Sequence, residues 1–340
     1  MWQLARVNAV AVAVTLALAL AFTGCAPRAT STTRDDGPPP RALEYAARAE
    51  LHAARGAHER AWHEFEAAVA SAPWDVWLRV RVAEEMAASG QLRAGLDRLG
   101  ALIAAVPRDP VPRIARARLL VIKRPRGAAD DLEAALALSP DPATRRDATI
   151  LYGAAAARAG RAAAGGGRLT VLATARQHDL DVTIALAQAQ AAAGDVAAAF
   201  ATLDHALAGR DPRRPGSADL LVAWARLSLR RGDRAAAIQH AQRAHAGDPN
   251  HLGALVFLVE IALEDGRADD AAALLARAQL LGPRDPRVLY AAARASSEPI
   301  ESERLLLQAL GAGPAIDLQE QIERRLGPAP AAAAAASPAH

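Results

Sequence analysis

One cysteine, one lysine, two methionines and an aromatic content of 4% are conspicuously little for a chain of 340 residues. A lone cysteine excludes an internal disulfide framework and a cysteine-built metal centre. Scarce aromatic and β-branched residues argue against a sheet-based enzyme fold. Charge of one sign is missing too: 40 basic residues stand against 37 acidic ones, a formal +3. Arginine and Asp/Glu alternate along most of the chain, so no basic stripe points to nucleic acid as a partner. What remains is 52% hydrophobic, with alanine making up roughly a quarter of the chain. Small side chains of high helix propensity predict an all-α fold of closely packed helices.

The only long apolar run is at the start. Val7 to Phe22 follows a short charged segment and is broken by Asn8 and Thr15. It is shorter than the roughly 18–20 residues that span a bilayer and reads as a signal peptide over residues 1–24, with a permanent span as the competing reading. Phe22-Thr23-Gly24-Cys25 resembles the lipobox of bacterial lipoproteins, with Phe22 where the family usually has leucine. That resemblance implies that Cys25 is lipidated and becomes the new N-terminus; an ordinary secretory cleavage beside a free cysteine is the alternative. Ala26 in place of aspartate then implies the outer membrane of a Gram-negative cell, facing the periplasm. Residues 25–41, rich in Ser, Thr and Pro, read as a disordered tether.

From residue 42 the chain repeats itself. Pro73 and Pro107 are 34 residues apart, as are Pro249 and Pro283, and the pairs Gly56/Gly90, Gly160/Gly194 and Gly232/Gly266 keep the same step. The clearest unit, 252–285, has Leu255, Leu258, Val259 and Ala262 on a first helix and Ala271, Leu275 and Ala278 on a second. Gly266 lies where the chain must turn, and Pro283 ends the second helix because it lacks an amide N–H.

This pattern resembles the tetratricopeptide repeat. Leu221, Trp224, Ala225, Ala237, Ala241, Ala244 and Pro249 fall on its slots in one unit, and Tyr45, Ala49, Ala61, Phe65, Ala68 and Pro73 in another. The resemblance implies a right-handed superhelix of about eight helical hairpins, near 42–75, 76–109, 110–142, 146–179, 180–213, 218–251, 252–285 and 286–314. An amphipathic segment at 315–327 is expected to cap it, and an Ala/Pro tail at 328–340 to be disordered. Two units depart from the pattern. The third is one residue short with Pro125 near its turn, and the fourth carries Gly165-Gly166-Gly167 in its second helix; these read as the weakest joints.

Residues that could carry chemistry give little. Gly160 to Arg168 lacks the Lys-Ser/Thr and the preceding strand of a phosphate loop. His58/His63 and His240/His245 are five apart, off a shared helical face, and read as solvated surface histidines; no metal or other cofactor is expected. Asp130-Asp131 and Asp269-Asp270 are placed at the starts of second helices, where acidic groups favour the helix dipole. No motif positions a nucleophile, so no enzyme is expected.

In the tetratricopeptide family partners usually bind along the face lined by the first helices. One position on that face reads Ala46, Val80, Ile114, Ile150, Ile184, Val222, Val256 and Tyr290. Four residues on come Glu50, Glu84, Arg118, Ala154, Gln188, Arg226, Glu260 and Arg294. These rows read either as an apolar floor beside mixed charges, suited to a peptide or helix of an envelope protein, or as packing between repeats. The expected function is a lipid-anchored periplasmic scaffold that assembles or stabilises a pilus, secretin or export complex. The alternative is an adaptor that recruits peptidoglycan or polysaccharide enzymes.

Overall fold

The computed structural model describes residues 37–314 and 316–327. The chain divides into two units, Met1–Gly37 and Pro38–His340, and the second holds the elements below. The signal segment, Cys25, most of the tether and the tail at 328–340 lie outside the described residues.

All regular structure among the described residues is helical. The first three hairpins are α1 (Pro40–Ala54) with α2 (His58–Ser71), α3 (Val76–Ala88) with α4 (Leu92–Ala105), and α5 (Val111–Leu120) with α6 (Pro125–Ala137). Next come α7 (Pro142–Arg158) with α8 (Ala162–Ala175), α9 (Leu180–Ala192) with α10 (Val196–Leu207), and α11 (Ser217–Arg230) with α12 (Arg234–Gly247). The last are α13 (Leu252–Glu264) with α14 (Ala268–Leu281), α15 (Pro286–Ala295) with α16 (Pro299–Gly311), and a single helix α17 (Ile316–Leu326). Each helix packs on the next, and first helices also touch along the array, α3 on α5 and α13 on α15.

The periodic signals have local causes. In the seventh hairpin Gly266 has φ +70°, and the amide of Arg267 reaches back to the carbonyl of Ala262 at 2.8 Å. That bond satisfies one carbonyl left open at the end of α13, in a conformation that costs a Cβ-bearing residue about 1–2 kcal/mol. Aspartates start many helices: Asp75 accepts from the amide of Leu78, Asp179 from that of Val182 and Asp233 from that of Ala236. Each such cap contributes about 1 kcal/mol.

The core is divided among the joints, as a one-dimensional stack requires. Leu255, Val259, Ala262, Ala271, Leu275 and Ala278 form one cluster with Val288 and Ala291 of the next hairpin. Ala225, Ala237 and Ala241 meet Phe257 and Ile261 in another. Ile322 of α17 is fully buried against Leu289, Tyr290, Ala293, Leu306 and Ala309, which closes the apolar end of the eighth hairpin.

The two irregular units have local structural causes. In the fourth hairpin the glycines mark the closest approach of two helices. A Cβ on Gly153 would stand 2.5 Å from Leu169 Cδ1, and one on Gly165 would stand 3.1 Å from the Gly153 Cα. The helix-propensity cost of Gly165 is therefore offset by contact that a larger residue would prevent, and α8 runs unbroken through all three glycines. In the third hairpin Pro125 begins α6, where its missing N–H costs nothing. This start moves Asp130-Asp131 into the helix interior. Asp131 is not a dipole-stabilising residue but the buried partner of Arg116, at 2.7 and 2.6 Å, and Asp130 pairs with Arg161 at 2.8 Å. Asp269 and Asp270 do lie in the first turn of α14.

Candidate interaction surfaces

The apolar row of the first helices is mostly interior. Val80, Ile114, Val222, Val256 and Tyr290 are each no more than 7% exposed; the first four belong to clusters that join neighbouring hairpins, and Tyr290 to the one that joins the eighth hairpin to α17. Ile184 is partly buried beside Leu203 and Leu220. This burial favours packing between repeats over an open floor, and the side chains left to meet a partner are those of the second row.

That row is tied from hairpin to hairpin by charge. Glu84 accepts from Arg81 at 2.9 Å and lies 3.6 Å from Arg118 of the third hairpin. Arg294 of the eighth hairpin reaches Glu264 of the seventh at 3.7 Å. Between them, burial pushes the Glu260 carboxyl above its ordinary range, and Arg226 and Arg294 pull it back. Gln188 and Arg226 are exposed, so they are available without disturbing the core.

The ends of the described array also meet. His58, at the start of α2, places Nδ1 2.8 Å from Glu85 Oε2 and Nε2 2.6 Å from the carbonyl of Gly311, 253 residues away. A carboxylate and a carbonyl can only accept, so both ring nitrogens must carry protons and the imidazole is cationic. The bond to Glu85 raises the His58 pKa above its ordinary value, against the opposing effect of burial. Arg81 donates to the other oxygen of Glu85, Oε1, at 2.7 Å. Burial disfavours the Arg81 charge, but the attraction of Glu84, Glu50 and Glu85 outweighs it and holds the guanidinium protonated. Arg284, after α14, adds a 3.2 Å bond to the carbonyl of Ala54.

A second long-range contact joins α17 to the end of α7. Arg158 donates to Asp317 at 2.5 Å and to Glu320 at 3.0 Å. Asp317 and Glu320 are three apart, so one guanidinium pairs with two carboxylates on the same helical face.

Of the four histidines expected to be solvated, His58 and His240 are engaged within the fold, while His63 is exposed. Besides His58, His251 caps α13 by accepting from the amide of Ala254 and pairs with Asp219 at 3.0 Å. His240 stacks on Trp224 with centroids 3.6 Å apart, where burial lowers its pKa. Each bonds or stacks within the fold, and five-residue spacing in sequence carries no information about such partners. Among the described residues no group of three or more His, Cys, Asp or Glu side chains is arranged to hold a metal ion.

The tetratricopeptide repeat family model matches residues 228–295, from the end of α11 through α15, around Gly232 and Gly266. The described residues form a tetratricopeptide-repeat solenoid. A tetratricopeptide repeat protein from Parabacteroides merdae has a similar structure, with 14% identity over 79% of this chain and 99% of that one and a TM-score of 0.52. PilF of Pseudomonas aeruginosa gives 16% identity over 65% and 97% of the two chains with a TM-score of 0.45. PilW, a type IV pilus biogenesis factor, gives 18% over 62% and 95% with a TM-score of 0.41. At these identities the likeness is one of fold alone. No curated protein matches the sequence. The tetratricopeptide architecture accounts for the neighbour contacts; the His58 and Arg158 contacts connect hairpins far apart in the array.

Sequence reasoning missed His58, Glu85 and Arg158. Their partners are 27, 253 and about 160 residues away, so no local pattern carries a signal for them.

Proposed function

We propose that this tetratricopeptide-repeat chain is a protein-binding scaffold of the cell envelope. On this reading it is held at the outer membrane by lipid on Cys25 and assembles or stabilises a complex such as a pilus, secretin or export machine. The observation that carries the binding role is the array itself: stacked hairpins spend their apolar residues on each other and leave long rows of polar side chains outside. Such a solenoid exposes much surface per residue and is typically a non-catalytic platform for segments of other proteins. The envelope location is supported by Phe22-Thr23-Gly24-Cys25 and by the apolar run before it. Several acyl chains, each methylene contributing about 0.8 kcal/mol, would make the anchorage permanent.

Two experiments test this reading. Cys25→Ser should move the protein from the membrane fraction to the soluble periplasm; continued membrane association would remove the lipid anchor from the account. A photo-crosslinking residue at Gln188 or Arg226 should capture an envelope protein in living cells, identified by mass spectrometry. Those positions are chosen because a charge placed at Val80 or Val222 would damage the core and lose binding for the wrong reason.

A further inference from the structure

The turn edge of the third hairpin carries cations that the rest of the described fold does not neutralise. In six of the other hairpins a glycine closes the first helix, but here the turn is Val121-Ile122-Lys123-Arg124, with the Arg124 amide bonded to the carbonyl of Leu120 at 2.7 Å. Lys123, Arg124, Arg126 and the nearby Arg93 are all exposed and join no ion pair among the described residues. They border two recesses of about 490 Å³ each that meet at Arg124. One recess has apolar walls from Leu92, Leu96, Leu119 and Leu120 and also holds Asp97; the other runs past Arg126 to Arg158.

The molecule itself shows what this edge accepts. Arg158, on the wall of the second recess, is already occupied by Asp317 and Glu320 of α17, an amphipathic helix whose Ile322 is buried in the eighth hairpin. The remaining cations continue the same edge, and Asp97 is the one carboxylate among the residues that line the two recesses.

We propose that the edge formed by Arg93, Lys123, Arg124 and Arg126 docks an acidic amphipathic helix of a partner protein, beside the place where α17 docks in the chain itself. Carboxylates three or four residues apart on that helix pair with the arginines as Asp317 and Glu320 pair with Arg158. Apolar side chains on the adjoining face enter the leucine-walled recess. Asp97 in that recess repels a ligand of dense negative charge, which favours a helix with spaced carboxylates over a phosphate-rich one. This site rests on the chain's being a protein-binding scaffold and moves the contact away from the first-helix row.

The probe is a fluorescent peptide of residues 314–327 of this chain, titrated by anisotropy into the full-length protein. An isolated helix this short is marginal in water, so saturable binding with a Kd on the order of 50 µM is expected. It should weaken at least tenfold in Lys123→Glu/Arg124→Glu/Arg126→Glu, and also when Asp317, Glu320 and Glu323 of the peptide are replaced by glutamine. Arg124→Ala/Arg126→Ala, with unchanged circular dichroism, should show a smaller loss in the same direction. Equal binding to all variants, no binding at all, or binding of inorganic phosphate or phosphatidylglycerol vesicles in place of the peptide would overturn the proposal. In cells, crosslinks from Arg226 but none from Arg124 would overturn the edge site and leave the scaffold standing. Crosslinks from neither would sink both.

Discussion

The seventh and third hairpins follow one plan and finish as different surfaces. In the seventh, Gly266 closes α13 in a left-handed turn, and α13 buries nearly its whole circumference, Phe257 and Ile261 on one side and Leu255 and Val259 on the other. In the third, α5 has only ten residues, the turn is built from Val121 to Arg124, and a charge pair between Arg116 and Asp131 lies at the helix interface. In the seventh hairpin α13 is core, while α14 buries only Ala271, Leu275 and Ala278. The third exchanges part of that core for cations at its edge. Regular repeats stabilise the array, and departures from regularity are where a distinctive surface can form.

The contrast can be broken most severely at the centre of the seventh hairpin. Phe257→Ala should lower stability by about 4 kcal/mol, from lost burial and the cavity left behind, read as a shifted urea midpoint in circular dichroism. Asp131→Ala in the third hairpin should cost about 2 kcal/mol in the same assay. That is less than for a fully buried pair because Arg116 stays partly exposed and regains water. Gly266→Ala should cost about 1 kcal/mol through its positive φ. Arg124→Gly should be close to neutral, since that turn needs no left-handed residue.

The smallest effect concerns pH. A histidine whose folded pKa is raised stabilises the fold fully below its unfolded value, near 6.5, and loses that contribution as pH rises through the folded value. The melting temperature of the wild-type chain should therefore exceed that of His58→Gln by most below the ordinary histidine value of 6.5, and the gap should narrow as pH rises above it. A gap that widens with pH would contradict a cationic His58 between Glu85 and Gly311.

Much of this architecture was legible in the residues. The 34-residue step of Gly232/Gly266 and Pro249/Pro283 located the hairpins, because a turn glycine and a helix-ending proline act through their own backbone. Asp75, Asp179 and Asp285 cap helices by equally local means, each serving an amide two or three residues on, although the 34-residue step did not point to them. The interaction surface was less legible. Val80, Val222 and Val256 were identified as one row, yet whether a row lines a surface or fills a joint depends on how close the next hairpin lies.

The sequence by itself determined the helices, their pairing into hairpins and the order in which they stack, since all of these follow from interactions within one or two repeats. Only the tertiary structure decided that Gly153 and Gly165 mark a close approach and that Asp131 is buried. It alone brought His58 to Gly311 and Arg158 to α17, and left the third turn's cations without an ion pair among the described residues. Those outcomes depend on how small rotations between hairpins accumulate along the array, a sum over many joints that no single repeat encodes.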